Sequence, residues 1–394
     1  MNNYTSSYFD EYVNRENTTS CKYDYACKNF KNNDVISLSV ADMDFKAPIE
    51  AINAINSIVS KGIYGYSYCP DDYYCIVAKW LNDKYYMNIS KSDIVFCPRI
   101  VQAISIIIQN FTSLNDEIIL FAPGYSPLNS VIEYNNRKVV NVPLTYANNS
   151  YTLDISLLKS LITPKTKAII LINPHNPTGK VWTKSELSEI CGICVEKNIL
   201  IISDEIHADF IRPNYTFTSV ASLSENISLN SIVCTSPAKT FNLPGLHISN
   251  IIIKNSYLRD KFIDGINKNM LMDPNCFVYP VVSAVLSSPS NYIESLKNYI
   301  EYNFQYVNDI FKKHMPEFKV IHSQGTYLMW IDYTETALTE TDILNWSRNS
   351  NVDFYLGSNF GDYGKGFIRL NIATQLSRLK TSMNRLIENY PLKI

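Results

Sequence analysis

Seven short apolar runs between residues 94 and 253 constrain this chain more than any other feature. They are Ile94-Val95-Phe96, Glu117–Phe121, Lys138–Val142, Lys167–Ile172, Ile199–Ser203, Ser231–Cys234 and Ile248–Ile253. Between them lie stretches whose apolar residues recur every three or four positions, such as Ile100–Phe111. This alternation predicts an α/β fold, a mostly parallel seven-stranded sheet flanked by helices. The pattern after Thr183 opens as Thr183-Lys184-Ser185-Glu186, a hydroxyl and a carboxylate spaced to cap a helix reciprocally. In open parallel sheets ligands collect beyond the carboxyl ends of the strands, so chemistry is expected in the residues that follow each run.

Four of those ends carry residues of use to a ligand. The stretch Ser231–Gly245 places one lysine, Lys239, between the turn signals Ser236-Pro237 and Pro244-Gly245. A lysine in apolar surroundings must lose its proton or form a covalent bond, which suits Schiff-base chemistry. The hydroxyls of Thr235 and Ser236 stand close enough in sequence to hold a phosphate beside that amine. Lysine plus phosphate anchor suggests pyridoxal phosphate. Pro123-Gly124-Tyr125 delivers an aromatic ring at the rim, Asn173–Gly179 carries Asn176 in a double turn, and Asp204-Glu205-Ile206-His207 puts a carboxylate at the end of an apolar strand. A buried carboxylate needs a cationic partner, and a pyridinium nitrogen is one. Each residue also has a plainer role available: rim packing for Tyr125, turn formation for Asn176, helix capping or metal binding with His207 for Asp204.

Composition narrows the function classes. The chain has 394 residues, 46% hydrophobic and 18% charged, which is enough for two domains and a large core. A net charge of -2 gives no basic footprint for nucleic acid or for an anionic membrane surface. The N-terminal residues are polar and acidic, and no apolar run reaches the ~18 residues that span a bilayer, so a cytoplasmic location is expected. Nine cysteines in a chain of this size are expected to be free thiols, and Cys191-Gly192-Ile193-Cys194 falls inside a helical pattern rather than at a redox turn. The five histidines form no HExxH pattern, and neither GxGxxG nor GxxxxGK[ST] occurs.

The flanking segments complete the expectation. Pro48 opens a helical pattern, followed by Lys61-Gly62-Ile63-Tyr64-Gly65-Tyr66-Ser67, a loop that displays two tyrosines. The division expected is a large domain over residues 46–285 and a smaller α+β domain from residues 1–45 and 286–394. In the latter, Ser288-Pro289 reads as the start of a long amphipathic helix, with strand-like pieces at Gly325–Ile331 and Val352–Leu356. Arg369 sits inside the otherwise apolar Gly366–Asn371, where a two-pronged donor suits a substrate carboxylate or a structural ion pair.

Together, Asn176 in Pro-His-Asn-Pro-Thr-Gly-Lys, Ser203-Asp204-Glu205-Ile206-His207, Ser236-Pro237-Ala238-Lys239-Thr240-Phe241-Asn242 and Ile368-Arg369-Leu370-Asn371 resemble the class I/II aminotransferase superfamily of fold type I. Val40-Ala41-Asp42-Met43-Asp44-Phe45 and Gly65-Tyr66-Ser67 are similar to its MalY/PatB branch of cystathionine β-lyases, or cysteine C–S lyases. The resemblance implies pyridoxal 5'-phosphate, with Lys239 forming the Schiff base, Asp204 on the pyridine nitrogen, Asn176 on the ring hydroxyl and Tyr125 stacked on the ring. It implies a phosphate held by Ser236 and the backbone of Ile100 and Val101, His207 beside the cofactor, and a substrate α-carboxylate held by Arg369 near Tyr64. Tyr66 would reach the phosphate of a neighbouring subunit, so a homodimer with a shared active site is expected. Two departures from the wider aminotransferases stand out: His247 replaces a common arginine, and His207 replaces a common tyrosine. The expected reaction is β-elimination from a small amino-acid substrate, a cysteine S-conjugate, giving thiol, pyruvate and ammonia. An aminotransferase and a cofactor-dependent regulatory binding protein with little turnover are the alternatives.

Overall fold

The computed structural model describes residues 3–392. The seven runs form β1 (Ile94–Cys97), β2 (Glu117–Ala122), β3 (Lys138–Pro143), β4 (Thr166–Ile172), β5 (Leu200–Asp204), β6 (Ser231–Thr235) and β7 (Ser249–Ile252). They build one sheet in the order β1-β7-β6-β5-β4-β2-β3. Strands β3, β2, β4, β5 and β6 run parallel to one another, whereas β7 runs antiparallel to β6 and β1. The connection from β6 to β7 holds Lys239 and only a short 3-10 turn, Pro244–Leu246, so the chain returns without a helical crossover.

Helices cover both faces. Pro48 precedes α1 (Ile49–Val59), as its sequence predicts. Because strand side chains alternate, Ile118, Leu120, Ile170 and Ile202 pack against α2 (Ile100–Phe111), while Ile119, Phe121, Ile169 and Ile201 pack toward α3 (Lys184–Glu196). Helix α4 (Ser256–Lys268) joins α2 through Phe262 and Ile266. Full burial of each such side chain stabilises the fold by about 1.5–3 kcal/mol. The expected cap of α3 is present: Thr183 Oγ1 accepts from Glu186 N at 3.2 Å and Glu186 Oε2 accepts from Thr183 N at 2.8 Å. Cys191 and Cys194 are buried free thiols on α3.

A second, antiparallel sheet has the order β8-β9-β11-β10, from β8 (Lys319–Val320), β9 (Leu328–Asp332), β10 (Tyr355–Leu356) and β11 (Phe367–Asn371). Against it pack α5 (Tyr292–His314), α6 (Glu340–Ser350) and α7 (Leu376–Glu388), in one core with Phe9, Leu38, Met43 and Phe45 of the N-terminal segment. Helix α5 buries Leu296, Ile300, Phe304, Val307 and Phe311 along one stripe. It begins at Tyr292 after Asn291, not at Ser288-Pro289. Ser288 instead follows an earlier helix, Val278–Ser287, with extended torsions that the next proline enforces, and its hydroxyl donates to Glu50 at 3.0 Å.

Residues 38–45 form a strap that ties the two sheets together. Asn371 donates from its backbone to Leu38 O at 2.6 Å and from its side chain to Val40 O and Asp42 O at 2.6 Å each. From the β6–β7 connection, Asn242 accepts from Met43 N at 3.0 Å and donates to Met43 O at 2.9 Å and Phe45 O at 2.7 Å. Among the described residues no helix is long and apolar enough to cross a membrane.

Candidate active site

The sheet register brings the expected residues to one edge. Ile172 at the end of β4 is paired with Asp204, and Asp204 with Cys234. One residue on, Thr235 is paired with Asn250, and Asn250 with Phe96. Neighbouring strands lie about 4.8 Å apart, so the turns carrying Asn176, Asp204, Ser236 and the start of α2 fall in a row that spans five neighbouring strands, β4 to β1. Each follows the carboxyl end of its strand except the loop into β7, which enters the row from the opposite direction.

Lys239 is half-buried, and its amine donates to the carbonyl of Ala41 on the strap. Burial pushes this amine down to about 8; Asp42 opposes the change and the nearby Arg369 adds to it. Asp204 is buried, and desolvation pushes its carboxyl up to about 6 even though Ile206 N donates to Oδ1 at 3.2 Å and Lys239 lies near. That hydrogen bond closes a turn, and no helix follows it, so Asp204 is not a helix N-cap. Among the described residues no cluster of three or more His, Cys, Asp or Glu suited to a metal joins Asp204 and His207.

Arg369 is 2% exposed, yet no carboxylate pairs with it among the described residues, which removes the structural ion-pair reading. Its Nη1 donates to Asn176 Oδ1 at 3.0 Å and its Nη2 to Ser39 O at 2.7 Å, while Nε has no partner. The guanidinium packs against both Tyr355 and Phe360, 4.9 and 4.8 Å from their ring centroids. Desolvation lowers it to about 10, so it stays charged at neutral pH. Asn176 thereby commits its oxygen to Arg369 and leaves its amide nitrogen as a donor. His207 is buried, its Nδ1 is unpartnered, and burial followed by the charges of Lys239 and Arg369 lowers it to about 3, so the ring is neutral. Tyr125 is mostly enclosed and feels the charges of Asp204 and Arg369, which puts all six groups in one site.

Ile100 and Val101 open α2, whose first-turn N–H groups point out of the helix next to β7. Ser236 is close by: its hydroxyl donates to Ile248 O at 2.5 Å, and the neighbouring His247 contacts Arg99, the residue before α2. Tyr64 and Tyr66 are not drawn into this cluster. Tyr66 is fully exposed, and Tyr64 lies on the surface with its ring 6.2 Å from that of Phe277.

Sequence reasoning missed the groups that frame the lysine from the other side. Tyr327, fully buried just before β9, donates its hydroxyl to Ala41 O at 2.9 Å and packs edge-on to His207 with centroids 5.7 Å apart. Lys22, also buried, donates to Asp44 Oδ2 at 2.9 Å and Asp42 O at 3.0 Å, while Arg15 binds Asp44 at 3.0 Å and Asp42 at 2.8 Å. These ion pairs hold the strap in place. The one available signal was the Val40–Phe45 motif, whose acidic residues turn out to be structural.

The chain matches the family "Aminotransferase class I and II" over residues 33–386. It is 30% identical to cystathionine beta-lyase PatB of Bacillus subtilis, across 96% of this chain and 98% of that protein. It is 28% identical to the protein MalY of Escherichia coli, across 96% and 97%. Among solved structures, cystalysin from Treponema denticola superposes with a TM-score of 0.93 at 31% identity, covering 97% of this chain and 98% of that one. With its sheet order, its lysine turn and its buried arginine accounted for, this chain belongs to the class I and II aminotransferase family.

Proposed function

We propose that the protein is a pyridoxal 5'-phosphate-dependent carbon–sulfur lyase, which cleaves cysteine S-conjugates such as cystathionine to a thiol, pyruvate and ammonia. The observation that carries this reading is a half-buried lysine amine, lowered to about 8, set beside a buried carboxylate and a buried guanidinium that lacks an acidic partner. These groups fit the cofactor and an amino acid. Asp204 gains a cationic partner from a protonated ring nitrogen, Asn176 offers an amide N–H to a ring oxygen, and the free Nε edge of Arg369 suits a carboxylate. Whole-length likeness to PatB, a cystathionine beta-lyase by name, supports cleavage over transamination.

When bound, the cofactor supplies an aldehyde that bonds to amines and a ring that accepts the electron pair left at the substrate Cα. Arg369 would hold the substrate α-carboxylate and so orient the substrate's Cα in the site. Lys239, once its amine is free and unprotonated, takes the proton from Cα. Asp204 keeps negative charge behind the ring nitrogen, and neutral His207 adds no competing cation. The first-turn N–H groups of Ile100 and Val101, with Ser236, would hold the phosphate, and Tyr125 would pack against the ring.

The protein on this reading has a large domain over residues 46–285, a small one from residues 1–45 and 286–394, and works as a cytoplasmic homodimer. The segment of Ile63, Tyr64, Tyr66 and Tyr68, 59–102% exposed, supports the dimer: it is a surface apolar stretch that a second copy can cover while Tyr66 reaches that copy's phosphate site. The test is to supply cystathionine to cofactor-loaded protein with no keto acid added. Pyruvate and thiol are expected. Amino transfer that depends on a keto acid would make it an aminotransferase, and tight cofactor binding with neither product would make it a binding protein.

A further inference from the structure

The carbonyl of Ala41 is a meeting point with no part in the chemistry described so far. It is a backbone acceptor with two lone pairs, and two side chains reach it: the amine of Lys239 and the hydroxyl of Tyr327 at 2.9 Å. The carbonyl and its second donor are both fixed from behind. Tyr327 is fully buried, its ring packed edge-on to Phe210 at 4.8 Å and to His207 at 5.7 Å. Ala41 cannot retreat, because Asn371 holds Val40 O and Asp42 O on either side of it. A hydroxyl that occupies one lone pair leaves the lysine only the other, and it withdraws electron density from the oxygen that would otherwise favour an ammonium.

We propose that Tyr327 is a positioning residue for Lys239, acting through the Ala41 carbonyl. It limits how strongly that carbonyl holds the lysine amine, and so both aims the amine's lone pair into the site and favours its unprotonated form. An amine that donates one N–H to a fixed oxygen has its lone pair turned away from that oxygen. Asp204 and Arg369 lie close enough to act on the same amine, so a lone pair turned away from the Ala41 carbonyl is left free for the site. This proposal rests on the lyase reading, because only a reacting lysine needs such control.

The variant Tyr327→Phe isolates the hydroxyl: the ring keeps its contacts with Phe210 and His207, and the fold loses a single hydrogen bond. The charged and titratable groups around Lys239, namely Asp42, Arg369, Asp204, Lys22 and His207, are unchanged by it. Unloaded wild type and variant are mixed with pyridoxal phosphate at a series of pH values, and the rate of absorbance rise is followed; kcat and KM for cystathionine are measured in parallel. The expected result is that the midpoint of the uptake profile moves to higher pH by roughly half a unit or more, and that kcat falls about 3- to 10-fold at neutral pH with KM little changed. Profiles that superimpose, with kcat within about twofold, overturn the proposal even if the thermal midpoint drops, since a merely structural hydroxyl would do only the latter. No absorbance rise in wild type itself would instead remove the cofactor reading, and this proposal with it.

Discussion

Lys22 offers the sharpest test of how the strap is held. Its side chain is 2% exposed, and its ammonium is the closest cation to Asp44 Oδ2 at 2.9 Å. Replacing it by methionine keeps the aliphatic stem but leaves Asp44, buried at 8% exposure, short of one partner. Removing one member of a buried ion pair costs about 3–5 kcal/mol. Arg15 still binds Asp44 Oδ1 at 3.0 Å, which argues for the lower end, about 3 kcal/mol, or a thermal midpoint lower by roughly 4 °C. The pH dependence checks the cause. Burial works against the Asp44 carboxylate, but Lys22 and then Arg378 hold it below its ordinary range in the folded state. Such a group adds stability that is present above its unfolded pKa of about 3.9 and fades as pH falls through the lower folded value. Lys22→Met raises the folded value, so its deficit is greatest at pH 7 and narrows toward pH 4. The double variant Lys22→Met/Asp44→Asn, which removes the stranded charge, recovers most of the loss at pH 7. Denaturation of the unloaded proteins across this pH range is the assay. A deficit under about 1 kcal/mol at pH 7, or one that does not shrink on acidification, would falsify the assignment of Lys22 as the partner that makes Asp44 tolerable.

Three further outcomes are expected. Asp204→Asn keeps the hydrogen bond to Ile206 but removes the charge behind the ring, so steady-state kcat should fall on the order of 100- to 1000-fold while the loaded protein still absorbs. Arg369→Lys gives up the paired bonds to Asn176 and Ser39, and kcat/KM for cystathionine should drop roughly 10- to 100-fold, mainly through KM. Gly265→Ala places a Cβ 2.0 Å from Asn110 Nδ2 and 2.5 Å from Ile106 Cγ2 where α4 meets α2; unfolding should become easier by about 1–3 kcal/mol with cofactor uptake at saturation intact.

The large sheet was legible because its central strands are buried on both faces and therefore read as unbroken apolar runs; Ile118–Phe121 and Ile169–Ile172 need no tertiary information to be recognised. The residues at the ends of those strands were legible for the same reason, since a polar group right after such a run emerges at the rim where ligands bind. Less legible was anything held by chain segments distant in sequence. Ser288-Pro289 has the local form of a helix start, but the preceding helix runs to Ser287 and the chain needs Ser288–Asn291 to turn. Tyr327 follows Gly325-Thr326 and looks like one more apolar residue leading into β9. Its role depends on Ala41, which lies 286 residues earlier. Lys22 carries no local sign of burial at all, because what buries it is the folded strap.

The guanidinium of Arg369 and the carbonyl of Ala41 sit near opposite ends of the chain, while the lysine and the acid between them come from its middle. A fragment ending before Phe367 would contain the whole large sheet, Lys239 and Asp204, yet it would have no Arg369 guanidinium and no Asn371 to anchor the strap. During synthesis Ala41 and Lys239 are therefore both made well before Tyr327 and Arg369, the two later side chains that meet them. Selectivity arrives last, as the final strand is laid beside β9 and closes the two ends over the middle.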